Sequence, residues 1–332
     1  TWEITDGNVI ARDAVLGRVA WTIDADPRVR HVVPTPAGDQ LVVAFHGNTD
    51  DGSQAWLVDR RTGERQVTFA VDETPVRRAF GPGILAEGQN FGCSSVHFLE
   101  FDGDGERELL FNFQHGKYYP AVLTVFELDG ARRAQYANRG HIPSLHVEDL
   151  DDDGRDEVLA FGTNNDSAYQ GASVIYLEQG AWSGAAVDPP GGPGRGPVGD
   201  IEDGARYRLV VPSFGEPVMG LMGCVRLTAH SPTVHRQVDG TVRINFTAGH
   251  LAAGGAAVVC DARLRPLLVN PTDSIRATVA TWPAQVLGPN RFPEQPWLED
   301  WLEGARWSQR GSDTLVFGPV RDGAGAGAEP RP

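Results

Sequence analysis

The chain has 332 residues and a formal net charge of −15, from 44 acidic against 29 basic side chains, with Lys117 its single lysine. That balance argues against nucleic acid or an anionic membrane surface as the main partner, because phosphate binding needs clustered Lys and Arg. Apolar stretches such as residues 256–260 fall far short of the ~20 residues of a membrane helix, so no membrane insertion is expected, whereas 40 Gly and 23 Pro suit many short strands joined by tight turns.

From the N-terminus, residues 9–13, a turn to Gly17 and residues 19–21 read as a hairpin. The phrase recurs at residues 56–59, Gly63 and 67–69, and again at residues 123–129, Gly130 and Tyr136. Each is an apolar strand ending in Asp, a turn closed by Gly, and a strand ending in an aromatic (Trp21, Phe69, Tyr136) that is expected between neighbouring sheets. The pattern resembles the outer-strand repeat of quinoprotein-like propellers. Between the first two copies, residues 32–43 form a turn flanked by strands and lacking a carboxylate series. Residues 72–92 read as an inserted, loop-rich connection.

Residues 100–108 (EFDGDGERE) and 149–157 (DLDDDGRDE) carry the chemistry. Oxygen-bearing side chains stand at loop positions 1, 3, 5 and 9 of both, with glycine at position 6 (Gly105, Gly154) and an apolar strand immediately after. Alternating carboxylates on a tightly turning backbone converge on one hard cation, and calcium takes ~6–8 oxygens. The expected side-chain ligands are Glu100, Asp102, Asp104 and Glu108 in one loop, and Asp149, Asp151, Asp153 and Glu157 in the other. The carbonyls of Glu106 and Arg155 at position 7 complete the two shells, giving two Ca2+ sites. An EF-hand would need a bidentate Glu at position 12 and flanking helices; Phe111 and Ala160 stand there, and residues 109–113 and 158–161 are strand-like.

The alternative is a pair of acidic surface turns that bind nothing. Against it stands the register: Gly105 and Gly154 are 49 residues apart, and Ser95-Val96-His97 is echoed by Ser144-Leu145-His146 at the same spacing. A period of about 40–50 residues suits a four-stranded propeller blade.

Residues 148–177 (EDLDDDGRDEVLAFGTNNDSAYQGASVIYL) resemble the FG-GAP or integrin-alpha-type repeat, called the VCBS-type repeat in bacterial proteins. Its acidic loop joins two strands of a blade, and residues 171–177 match the Gly-Ala and Val-Tyr strand that follows it. The resemblance covers roughly residues 93–180 and implies a calcium-stiffened β-propeller used in adhesion, ligand recognition or scaffolding. Glu100 departs from the usual Asp at position 1.

Beyond residue 180 the pattern loosens. The Pro- and Gly-rich residues 188–197 read as an exposed loop, residues 199–207 as a decayed fourth loop, and residues 207–212 as a strand. Further strands are expected at 224–227, 241–247, 256–260 and 267–269. Residues 296–303 place Trp297 and Trp301 one helical turn apart and read as a short C-terminal helix. The expected fold is therefore all-β: a β-propeller of about six or seven four-stranded blades over residues 1–310. Residues 181–310 either close it or form a separate β domain, and a flexible tail follows over 311–332.

Cys93, Cys224 and Cys260 lack zinc spacing and are read as buried thiols. The chain starts at Thr1 without a charged-then-apolar leader, so the expectation is an exported, processed protein, a monomer or part of a longer multidomain precursor, in a calcium-rich extracellular or periplasmic setting. Its expected partner is a protein or carbohydrate on the loop face, and its expected function is recognition without catalysis. The alternative is a lyase or hydrolase that works through His97 and His146, at the same repeat position, lining a central channel near His31. The turn of Asn164, Asn165 and Asp166 and the pair Tyr118 and Tyr119 fall where a ligand face would lie.

Overall fold

The computed structural model describes residues 1–24, 28–80, 91–116, 120–138, 140–164, 171–178, 182, 184–185, 206–212, 228–250, 254–261, 266–269, 305–310 and 314–319. The chain divides into two compact units: Thr1–His141 with Asp152–Asp156 and Trp182–Ala186, and Ile142–Asp151 with Glu157–Ala181 and Val187–Pro332. Both are all-β. Among the described residues no helix is long and apolar enough to cross a membrane.

The first unit opens with β1 (Trp2–Thr5), β2 (Asn8–Arg12) and β3 (Val19–Ile23), a three-stranded antiparallel sheet. Next comes a four-stranded meander of β4 (Val29–Pro34), β5 (Gln40–Phe45), β6 (Ala55–Asp59) and β7 (Arg65–Phe69). After helix α1 (Glu73–Phe80), a second meander is built from β8 (Phe91–Leu99), β9 (Glu108–His115), β10 (Ala121–Phe126) and β11 (Arg132–Asn138).

The period of two along a strand explains how these sheets stack. In β5, Leu41, Val43 and Phe45 face a core shared with Val9 and Ile23 of the first sheet. Val42 and Ala44 face the other way, into a core with Leu109, Phe111 and Phe113 of β9. A strand buried on both faces reads as a continuous apolar run, as Leu-Val-Val-Ala-Phe does. Phe69 sits in the second core with its ring 5.1 Å from that of Phe111 and 5.2 Å from that of Phe126.

The glycines that close the outer hairpins have a packing role. A Cβ on Gly63 (φ 75°) would lie 2.7 Å from Trp21, and one on Gly130 (φ 95°) would lie 2.7 Å from Val67. Trp21 of β3 and Val67 of β7 therefore hold the same place, each lying on the hairpin glycine of the following sheet. Phe69 is buried in the core between sheets as expected, and Tyr136 is buried as well. Trp21 is not: it is half-buried, and its indole Nε1 donates to the Arg60 carbonyl at 3.0 Å. Ile23, two residues on, takes the core position.

In the second unit, β12 (Ser144–Glu148), β13 (Glu157–Asn164) and β14 (Gly171–Leu177) form an antiparallel meander. Next in the chain, β15 (Gly184–Ala185) belongs to the first unit and runs parallel to β11. β16 (Arg206–Pro212) extends the meander. A further meander follows from β17 (Thr228–Arg236), β18 (Val242–His250), β19 (Gly254–Asp261) and β20 (Pro266–Val269). The rings of Phe161 on β13 and Phe246 on β18 lie 6.1 Å apart. At the end, β21 (Ala305–Arg310) pairs with β22 (Thr314–Pro319), which runs parallel to β16.

Three expectations change. The connection over residues 72–92 contains α1: Asp72 Oδ1 caps it by accepting the Thr74 amide at 2.9 Å, Glu73 and Arg77 pair one turn apart at 2.6 Å, and Val76 is buried. Residue 311 does not begin a tail, because the β-forming Thr-Leu-Val-Phe of β22 pairs on both edges. β17 is an additional strand, obscured by Pro232, where the ladder slips register between His230 and Thr233. The helix at 296–303, the strand at 224–227, the loops at 188–197 and 199–205 and residues 320–332 lie outside the described residues.

Candidate metal centres

Both acidic loops are corners of antiparallel hairpins, the first between β8 and β9 and the second between β12 and β13. Position 6 is left-handed in each, with φ 88° at Gly105 and at Gly154. Glycine adopts that conformation without steric cost. Position 4 is left-handed as well, filled by Gly103 at 84° and by Asp152 at 65°; aspartate is one of the few other residues that tolerate it.

The hydrogen bonds of the two loops repeat position by position. The amide at position 2 donates to the glutamate at position 9: Phe101 N to Glu108 Oε2 at 2.8 Å, and Leu150 N to Glu157 Oε2 at 2.6 Å. The amide at position 7 donates to the aspartate at position 5: Glu106 N to Asp104 Oδ1 at 2.8 Å, and Arg155 N to Asp153 Oδ1 at 2.9 Å. These bonds hold the position-5 and position-9 carboxylates in place.

Carboxylate oxygens of Glu100, Asp102 and Asp104 lie within 4.8 Å of one another, and so do those of Asp149, Asp151 and Glu157. Asp153 is not in the second trio. Glu106 is exposed, and the Arg155 side chain passes over Gly103, its Nε 3.1 Å from where a Cβ would stand. In the first unit Asp156 clasps the start of the first loop: its Oδ2 accepts the Glu100 amide at 2.8 Å, and its own amide donates to the Glu100 carbonyl at 2.7 Å.

Electrostatics favour a cation here. Glu108 is 0% exposed and Glu157 3%, and burying an ionised carboxylate is costly unless it is paired. Burial pushes the Glu108 carboxyl above the usual carboxylate range. Glu108 Oε1 and Asp102 Oδ1 are buried without a hydrogen-bond partner. Orphaned anionic oxygens in an all-carboxylate set fit a hard, oxygen-preferring ion.

Two residues of this region escape the sequence reading. Asp102, Glu108 and Glu127 also bring oxygens within 4.8 Å of one another. Arg133 spans the group, its guanidinium paired with Asp102 and its Nε 3.0 Å from Glu127 Oε1. Register is the signal that finds Glu127: one step past the Phe126–Leu109 pair of β10 and β9, it stands across from Glu108.

The histidines of the two repeats stand in different surroundings. In β8, Val96 and Phe98 pack on the core, so Ser95 and His97 take the other face. A bulge between Cys93 and Ser95 takes Ser94 out of the ladder, and its carbonyl accepts His31 Nε2–H at 2.8 Å. Burial lowers the pKa of both His31 and His97. In the second unit His146 Nε2 is 2.7 Å from Glu148 Oε2, on the same face of β12. Cys93 is a buried free thiol whose pKa burial pushes up to about 12. Tyr118, Tyr119, Asn165, Asp166, Cys224, Trp297 and Trp301 lie outside the described residues.

No family model and no curated protein matches the chain. Among solved structures it is similar to the Dos1 propeller (TM-score 0.44, 13% identity, 80% of this chain and 52% of that one). It is similar also to the rhamnogalacturonan lyase YesW (TM-score 0.36, 14% identity, 80% and 50%) and to a protein of unknown function from Bacteroides caccae (TM-score 0.29, 8% identity, 79% and 89%). The chain spans about half the length of the first two.

Proposed function

We propose that this protein is a calcium-stabilised β-propeller that recognises a protein or glycan partner through its loop face, outside the cytoplasm and without catalysis. The observation that carries the proposal is the matched pair of corners. In both, a buried position-9 glutamate is held by the position-2 amide amid further carboxylates, and such a buried charge is costly to keep without a cation. One Ca2+ in each of the loops 100–108 and 149–157 offsets that cost. The succession of four-stranded meanders supports a radial array of about six or seven blades, at one blade per ~45 residues. In this reading His97 and His146 perform no chemistry.

The test is thermal melting in calcium and in chelator. An ion that binds only the folded form stabilises it by RT ln(1 + [L]/Kd), about 2.7 kcal/mol per site at a hundredfold excess over Kd. The expected result is a higher melting temperature in calcium, with roughly half of the difference lost in Asp151→Ala. Identical melting in calcium and in chelator would overturn the reading.

A further inference from the structure

Resting on the calcium reading above, we infer that the first loop's cation is held by Asp102 and Glu108 together with Glu127 of the neighbouring hairpin, with Arg133 as the guanidinium it displaces and Glu100 as a backbone cap, not a ligand.

Glu100 is already engaged. Its Oε1 accepts the amides of Gly103 at 2.9 Å and Gly105 at 3.3 Å, and with one methylene more than Asp it bends back over its own turn. Both bonds fall on one oxygen and hold the Glu100 carboxylate against its own turn, where it caps two backbone N–H groups. The two orphaned buried oxygens, Glu108 Oε1 and Asp102 Oδ1, belong instead to the trio completed by Glu127. Glu108 is fully buried, so water cannot satisfy its oxygen freely.

Glu127 is placed by the β9–β10 register and not by the loop, so the site is built from two hairpins of one sheet. Arg133, from β11, carries the only positive charge paired with these carboxylates among the described residues, to Asp102 and to Glu127. Its guanidinium bridges the two carboxylates as a monovalent cation. A divalent ion takes its place among the oxygens, and Arg133, whose side chain is 43% exposed, swings out to water.

The test uses the full chain carrying Asp151→Asn, so that only the first loop's site is read, and calcium titration calorimetry as the probe. Adding Glu127→Gln is expected to weaken calcium binding at least tenfold, while adding Glu100→Gln shifts it less than about threefold. Arg133→Met, which removes a like charge beside the ion, is expected to tighten binding about tenfold. The Glu127 side chain is partly exposed, so E127Q should melt in chelator within a few degrees of its parent, which separates lost ligation from lost folding. Unchanged affinity in E127Q would overturn the inference. So would loss of binding in E100Q alone, which places the ion among Glu100, Asp102 and Asp104, or an R133M affinity no tighter than the parent's. If the wild type binds one ion and the Asp151→Asn parent none, this inference fails while the second loop stands. If the wild type binds none, the calcium reading itself fails.

Discussion

Replacing Glu108 by Gln separates the cost of a buried charge from its use. Glu108 Oε2 accepts the Phe101 amide, while Oε1 has no hydrogen-bond partner and Asp102 Oδ1 has none either. Glutamine keeps the acceptor for Phe101 and offers an NH2 group to the Asp102 oxygen at nearly the same volume. An unsatisfied buried polar group costs about 1–3 kcal/mol. The variant should therefore be more stable than the wild type in chelator by that amount, or about 2–4 °C per kcal/mol for a unit of this size. In saturating calcium the wild type alone gains the ~2.7 kcal/mol of the site, which overtakes any variant lead smaller than that. Differential scanning calorimetry of both proteins in both conditions reads the crossing.

The pH dependence carries the same sign change. Burial raises the folded Glu108 pKa above its unfolded value, so in chelator the native state binds the extra proton and the wild type gains stability as pH falls through the folded pKa toward the unfolded one. In saturating calcium the ion holds Glu108 ionised, so that gain is absent and the wild type loses stability only as pH falls below the unfolded pKa. The Glu108→Gln substitution removes Glu108's share of both dependences. A variant less stable than the wild type in chelator and in calcium alike would refute the reasoning and leave Glu108 as an ordinary structural acceptor.

Other substitutions test the scaffold. Phe69→Ala, at a fully buried ring touching Phe111 and Phe126, should cost about 3–5 kcal/mol in urea unfolding. Gly63→Ala forces a Cβ at φ 75° to within 2.7 Å of Trp21 and should cost about 1–3 kcal/mol, part of it recovered by adding Trp21→Ala. Asp51 is held well below the usual carboxylate range, first by the Ser53 and Thr49 hydroxyls, which donate to its Oδ1 at 2.6 Å each. A depressed folded pKa contributes stability that is present above the unfolded value and lost as pH falls. Asp51→Asn should accordingly be less stable than the wild type in urea at pH 7, and the gap should close as pH drops below about 4.

The two corners were legible in the sequence because their requirements are local: carboxylates two residues apart, a glycine where φ must be positive, and a strand after it. Hairpin phrasing was legible for the same reason, since Gly63 and Gly130 mark the turns. Long-range geometry was not. Glu127 reaches Glu108 only through the β9–β10 register, and Arg133 reaches Asp102 only across the next strand. The outer-strand phrase matched Trp21 to Phe69 because both are aromatic. Packing instead equates Trp21 with Val67, as two residues that each cover a glycine. In α1 the apolar pattern is short, and the cap at Asp72 carries the signal that the loop-like neighbourhood hid. Glu100 shows what local pattern leaves out: its carboxylate lies within 4.8 Å of those of Asp102 and Asp104, and its Oε1 also accepts the amides of Gly103 and Gly105.

The central claim is that each of these corners wraps a divalent ion, and counting the ions tests it most directly. After equilibration in calcium and desalting, native mass spectrometry of the whole chain should show two calcium ions bound per molecule, both removed by chelator. A spectrum with no bound calcium at concentrations that saturate ordinary extracellular sites would contradict it.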